Sequence, residues 1–209
     1  MKEKFRLNFL LTNSFKANFT FLMSALAIIL YVQSPTNERE LCMYAILFST
    51  VADLVLMDYN NIPGHLFGKD RFYAGMILFG ATHILYTSCF YHKFASISTF
   101  SIIDVIVACI AGMCVFAFSI FVSTYLISQE KVAFKVAVYI YVGLISIALV
   151  VMYIYSFVGR ALCPALGITL FLVSDMFILI RETKYDTNLV RKLVWVFYPI
   201  GQLLIIFSV

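Results

Sequence analysis

The chain has 209 residues, 63% hydrophobic and 12% charged, with a formal net charge of +4. Globular chains carry about 45–50% apolar residues, and a soluble core of this length could not hide so large a surplus. A soluble domain is therefore excluded and a polytopic membrane protein remains. The small positive charge calls for no nucleic-acid partner, because the basic residues sort by membrane side.

A spanning helix takes roughly 20 apolar residues, within a range of about 17–25. The opening stretch MKEKFRLNFLLTNSFK is basic, but its apolar part is too short and interrupted for a signal peptide. It is expected to lie at the membrane interface, the alternative being an extra span. Apolar runs then predict seven spans, at 18–33, 41–57, 72–91, 101–127, 132–157, 161–180 and 193–209. The fourth and fifth are long enough to tilt. Pro35, Pro63 and Gly64 mark loops, whereas Gly143, Pro164 and Gly167 fall within or at the start of spans, where they allow close packing. Cys42, Cys89, Cys109, Cys114 and Cys163 all fall in apolar runs and read as small buried hydrophobes, not as disulfides or a metal cluster. The expected fold is all-α. It is a single domain over residues 1–209, a bundle of seven transmembrane helices, or eight with the extra one at the N-terminus.

Loop charges orient the bundle. Lys2, Lys4, Arg6, Lys16, Lys69, Arg71, Lys131, Lys135, Arg181, Lys184, Arg191 and Lys192 fall on one side, and Arg39, Lys93 and Arg160 on the other. Twelve against three predicts a cytosolic N-terminus. The sequon Asn18-Phe19-Thr20 then lies at the cytosolic edge and is expected to carry no glycan.

Few ionisable residues fall inside spans, and intramembrane carboxylates usually face the bundle interior and mark function. Asp53 is in span two, His83 in span three and Asp175 in span six, while Asp104 lies near the outer end of span four. At about 1.5 Å per residue both Asp53 and Asp175 lie roughly 6–8 Å below the cytosolic edge, and His83 about 16 Å deep. A cleft open to the cytosolic leaflet accounts for all three; the bland alternative is neutral, hydrogen-bonded groups in a packed bundle. Helical spacing groups Phe72, Gly75, Phe79, His83 and Tyr86 on one face of span three, and Pro164, Gly167, Phe171, Ser174 and Asp175 on one face of span six. Tyr198 and Gln202 stand one turn apart in span seven. Core packing explains Phe72 and Phe79, and structural hydrogen bonding is the alternative for Tyr86, Tyr198 and Gln202. A faint echo between STVADLVLM and LFLVSDMFIL is compatible with a parallel repeat.

Four segments in order, FSTVADLVLM (48–57), RFYAGMILFGATHILYTSCF (71–90), LGITLFLVSD (166–175) and YPIGQLLI (198–205), resemble the lysoplasmalogenase (YhhN-like) family of integral membrane hydrolases, and the animal members most. The most specific is the second, with its F-x-x-G-x-x-x-F-x-x-x-H-x-x-Y pattern. The family motif positions are Asp53, Gly75, His83, Tyr86, Ser174, Asp175, Tyr198 and Gln202. Ala52 stands where the family usually has glycine, and the family is drawn with eight spans against the seven read here.

The resemblance implies hydrolysis of the vinyl ether of lysoplasmalogens to a fatty aldehyde and glycerophosphoethanolamine or glycerophosphocholine, in the endoplasmic reticulum. That chemistry needs a general acid, a negative group to stabilise an oxocarbenium ion, and a positioned water. Two carboxyls in a low-dielectric site, one protonated and one ionised, supply the first two. Asp53 and Asp175 are the expected pair, with either as the acid. His83, Tyr198 and Gln202 are expected to orient the water or ether oxygen, with Tyr86 beside them. Lys69 and Arg71 are expected to hold the substrate's phosphate, simple anchoring at the positive side being the alternative. No cofactor is expected. Of three histidines only His83 is intramembrane, which argues against a metal centre, and without a Gly-x-Ser-x-Gly elbow a serine triad is unsupported. Expected partners are the lysophospholipid substrate and membrane lipids. The competing reading is a proton-coupled transporter in which the two aspartates relay protons. A seven-span receptor or lipid-binding scaffold comes after it.

Overall fold

Every predicted span is a helix. The structure, a computed structural model, describes residues 12–57, 59–67 and 70–209, with the backbone alone at 60, 62 and 64. Its helices are α1 (Asn13–Gln33), α2 (Asn37–Leu56), α3 (Ile62–Phe67), α4 (Arg71–Ala95), α5 (Ile102–Leu126), α6 (Val132–Val158), α7 (Cys163–Thr183) and α8 (Asn188–Ile206). No strand occurs among the described residues. All but α3 reach membrane length: the shortest, α8, has 19 residues and extends about 28 Å, close to a hydrocarbon thickness of about 30 Å. Among the described residues five helices, α1 and α5 to α8, are long and apolar enough to cross a membrane. The other two long helices, α2 and α4, carry Asp53 and His83.

Side-chain caps set several boundaries. Thr12, Thr36, Ser101 and Thr187 each accept a hydrogen bond from a backbone N–H in the first turn of the helix that follows. Through Thr12 and Thr187, α1 and α8 begin five residues before the predicted spans, taking polar first turns into the helix. The loop predicted from Pro63 and Gly64 contains the single turn α3, in whose first turn Pro63 is tolerated. The rest of the basic opening segment, residues 1–11, and any extra span there lie outside the described residues.

The chain forms two compact units, Met1–Tyr86 and Thr87–Val209, with the boundary inside α4. In the first, α1 packs on α2 through a buried polar ladder. Ser24 and Thr50 share a hydrogen bond of 2.7 Å, and Thr50 donates to the Thr20 carbonyl at 3.1 Å. In the second, α5 neighbours α6 and α7, and α7 neighbours α6 and α8. On α5, Ile102, Ile106, Ile110, Phe118 and Phe121 face outward, while Ala108, Gly112, Ser119 and Ser123 face inward. A helix apolar on its outer face and small or polar within suits lipid as solvent. Cys42 and Cys89 are buried as expected, but Cys114 and Cys163 are exposed, because an apolar outer surface takes small hydrophobes as readily as the core does.

The three basic residues on the minority side each have a local structural partner. Arg39 donates to the Leu30 carbonyl at 3.0 Å, closing the end of α1. Lys93 donates to the Ser208 carbonyl at 2.8 Å, at the end of α8. Arg160, which follows α6 at a φ of 57°, pairs with Asp104 at 3.1 Å. In the turn between α7 and α8, a hydrogen bond from Arg191 holds the Asp186 carboxyl below its usual range.

The tightest helix contact is between α7 and α8. A Cβ on Gly167 would lie 2.9 Å from the Gly201 carbonyl oxygen, and one on Gly201 would lie 2.8 Å from the Gly167 oxygen. The two backbones touch, as small residues at a membrane helix interface allow. Gly167→Val should destabilise the protein by about 1–3 kcal/mol, read as a lowered unfolding temperature in detergent. Gly143→Ala, where a Cβ meets nothing within 4 Å, should leave that temperature unchanged.

Candidate active site

The first unit contributes four of the expected residues, Asp53, Arg71, His83 and Tyr86. Along α2, Cys42, Ala45, Ile46, Ser49, Thr50 and Asp53 recur at steps of three and four and are all buried. Asp53 is therefore a continuation of the stripe that faces the protein, with 6% of its surface exposed. Helix α4 packs antiparallel against α2. Gly75 meets the Leu56 side chain, where a Cβ would come within 2.6 Å, and Thr82 donates to the Ala45 carbonyl at 3.2 Å. These two contacts fix the register. Asp53 lies near the Leu56–Gly75 end, while His83 follows Thr82 about two turns, or roughly 12 Å, further along. His83 and Tyr86 are fully buried. Arg71 opens α4 one turn before Gly75, at the same end of the pair as Asp53, and is half-buried. Lys69 lies outside the described residues.

The second unit holds Asp175, Tyr198 and Gln202. Helices α6 and α7 run antiparallel, and side-chain hydrogen bonds tie them at three levels. Ser156 Oγ accepts from the Ala165 N–H at 3.0 Å, Tyr153 and Thr169 share a bond of 2.9 Å, and Tyr141 donates its hydroxyl to Asp175 Oδ2 at 2.5 Å. Asp175 is buried, 7% exposed. Across α7 and α8 the Phe171 ring meets Tyr198 edge-on at 5.3 Å, and Trp195 meets the same ring at 5.9 Å. Gln202 donates from Nε2 to the Tyr198 hydroxyl at 3.3 Å, so the two residues expected to share a face are joined directly. Ser174, also fully buried, has no partner for its hydroxyl among the described residues.

Tyr141 is the residue that sequence reasoning missed. Its position carried a signal: it falls between Val138 and Ile145 on the buried stripe of α6. An aromatic residue on a buried stripe reads as core packing, and that ordinary explanation masks the polar partner on another helix.

Long helices with apolar outer faces and buried carboxyl, hydroxyl, imidazole and amide groups define a polytopic integral membrane protein with a polar interior. The model of the YhhN family matches residues 13–209. The chain belongs to that family, which is of the lysoplasmalogenase type. No curated protein and no solved structure matches the chain.

The bond between Tyr141 and Asp175 is partly buried, and removing the Tyr141 hydroxyl takes from Asp175 its one donor among the described residues. Tyr141→Phe and Asp175→Leu should each lower stability by about 1–3 kcal/mol. The double variant should lose less than the sum of the two, measured as a thermal double-mutant cycle in detergent.

Proposed function

We propose that the protein is a lysoplasmalogenase, hydrolysing the vinyl ether of lysoplasmalogens to a fatty aldehyde and glycerophosphoethanolamine or glycerophosphocholine. The observation that carries this is the family match over residues 13–209; the buried carboxyls of Asp53 and Asp175 supply groups that the chemistry requires.

The reaction opens with transfer of a carboxylic-acid proton to the outer vinyl carbon, using the C=C electron pair. The ether oxygen shares its lone pair and the inner carbon becomes an oxocarbenium ion. A carboxylate stabilises that cation, as in glycoside hydrolysis. Water adds to the cationic carbon and gives up a proton to a carboxylate. The resulting hemiacetal breaks its bond to the glycerol oxygen, which takes a proton as the aldehyde forms. Asp53 and Asp175 are assigned as acid and carboxylate. His83, Tyr86, Tyr198 and Gln202 are assigned to hold the water or the ether oxygen. Arg71 and Lys69 are assigned to the substrate phosphate, at the end of α4 nearest Asp53.

Twelve basic residues against three support a cytosolic N-terminus, and the resemblance to animal members of the family supports the endoplasmic reticulum as the membrane. The substrate headgroup would then meet the protein from the cytosolic leaflet.

General acid–base groups contribute about 10²–10⁴-fold. Asp53→Asn and Asp175→Asn, purified and folded, should each lower aldehyde release by at least about 10²-fold; near-normal release by either would remove it from the mechanism. Arg71→Gln should raise KM with turnover unchanged, the pattern of lost uniform binding; an unchanged KM would leave Arg71 as an anchor. Aldehyde formation by pure protein in detergent, without any gradient, separates this reading from a proton-coupled transporter.

A further inference from the structure

The identity of the acid turns on what surrounds Asp175. Asp175 is buried, and among the described residues its one hydrogen-bond partner is Tyr141, whose hydroxyl reaches Oδ2 at 2.5 Å from the neighbouring helix. An ionised carboxylate offers about four lone-pair sites across two oxygens, whereas a protonated carboxyl needs fewer donors and has one proton to give. A single donor at Oδ2 suits the carbonyl oxygen of a carboxylic acid. In that protonation state Oδ1 is the oxygen that bears the proton. Next along α7, the fully buried Ser174 hydroxyl has no partner among the described residues. A buried polar atom without a partner calls for an unseen one, such as a bound water or ligand oxygen.

We infer that Asp175 is the general acid of the reaction and that Tyr141 is its positioning residue, holding Oδ2 so that the proton on Oδ1 is aimed at the outer vinyl carbon. This rests on the lysoplasmalogenase reading. In the step itself Asp175 loses its Oδ1 proton to carbon and becomes the carboxylate; Tyr141 keeps its own proton and its bond to Oδ2. When the hemiacetal forms, the proton released by the added water restores the acid.

The test uses the full chain, purified in detergent, with a 1-alkenyl lysophosphoethanolamine as substrate. Tyr141→Phe should lower kcat about 10–100-fold, the cost of a misaimed group, with KM held within about twofold. In Asp175→Asn the residual enzyme-dependent rate should climb as the pH is lowered, because hydronium replaces the missing acid; in Asp53→Asn it should not. Unaltered kinetics in Tyr141→Phe, or acid rescue in Asp53→Asn in place of Asp175→Asn, would overturn the assignment. The aspartate comparison needs no Tyr141 variant, so it stands even where Tyr141→Phe does not fold.

An infrared readout is independent of activity. The difference spectrum between the unaltered protein and Asp175→Asn should contain the C=O stretch of a protonated carboxyl. That band should move to higher frequency in Tyr141→Phe, where the carbonyl loses its donor. Absence of the band, or a band that Tyr141→Phe leaves in place, would sink the inference. Lack of aldehyde release by the unaltered protein would instead overturn the enzymatic reading, with the infrared result still judging the Tyr141–Asp175 pair.

Discussion

The hydrocarbon interior offers no water to a polar side chain, so each polar group has to be satisfied inside the protein. That constraint orders both units. Ser24, Thr50 and Thr20 close on one another between α1 and α2. Thr82 reaches the Ala45 carbonyl, and Ser156, Tyr153 and Tyr141 each find a partner on α7. Apolar side chains, released from the need to hide, cover the outer faces. Packing between helices therefore relies on close approach and hydrogen bonds more than on burial of apolar area, as the touching backbones at Gly167 and Gly201 illustrate.

Against that background the incomplete satisfaction around α7 stands out. Asp175 has one donor, and Ser174 has no partner among the described residues. A buried polar group left without a partner costs about 1–3 kcal/mol, a sizeable fraction of a typical domain's stability. Local departures from a well-satisfied interior tend to gather at functional sites. The same α7 segment packs tightly through Phe171 and Gly167 on either side of the contact with α8, so the polar group is carried on a rigid frame.

Much of this was legible from the residues in order. Apolar runs located seven long helices because lipid rewards unbroken hydrophobicity over about 20 residues. The face shared by Tyr198 and Gln202 followed from helical periodicity alone. The starts of α1 and α8 were less legible. Thr12 and Thr187 draw polar residues into helical first turns, where hydropathy by itself reads loop. Cys114 and Cys163 went to the outer surface because an apolar residue has no single destination when both solvent and core are apolar.

By itself the sequence determined class, the seven long helices found among the described residues and the identity of the polar groups sent into the membrane, since each depends on residue type and local spacing. Only the tertiary structure decided the partners. Tyr141 and Asp175 are 34 residues apart in the chain, and nothing local links a tyrosine on one helix to a carboxyl on another. The antiparallel register of α6 on α7 does so, because it is set by side-chain contacts distributed along both helices.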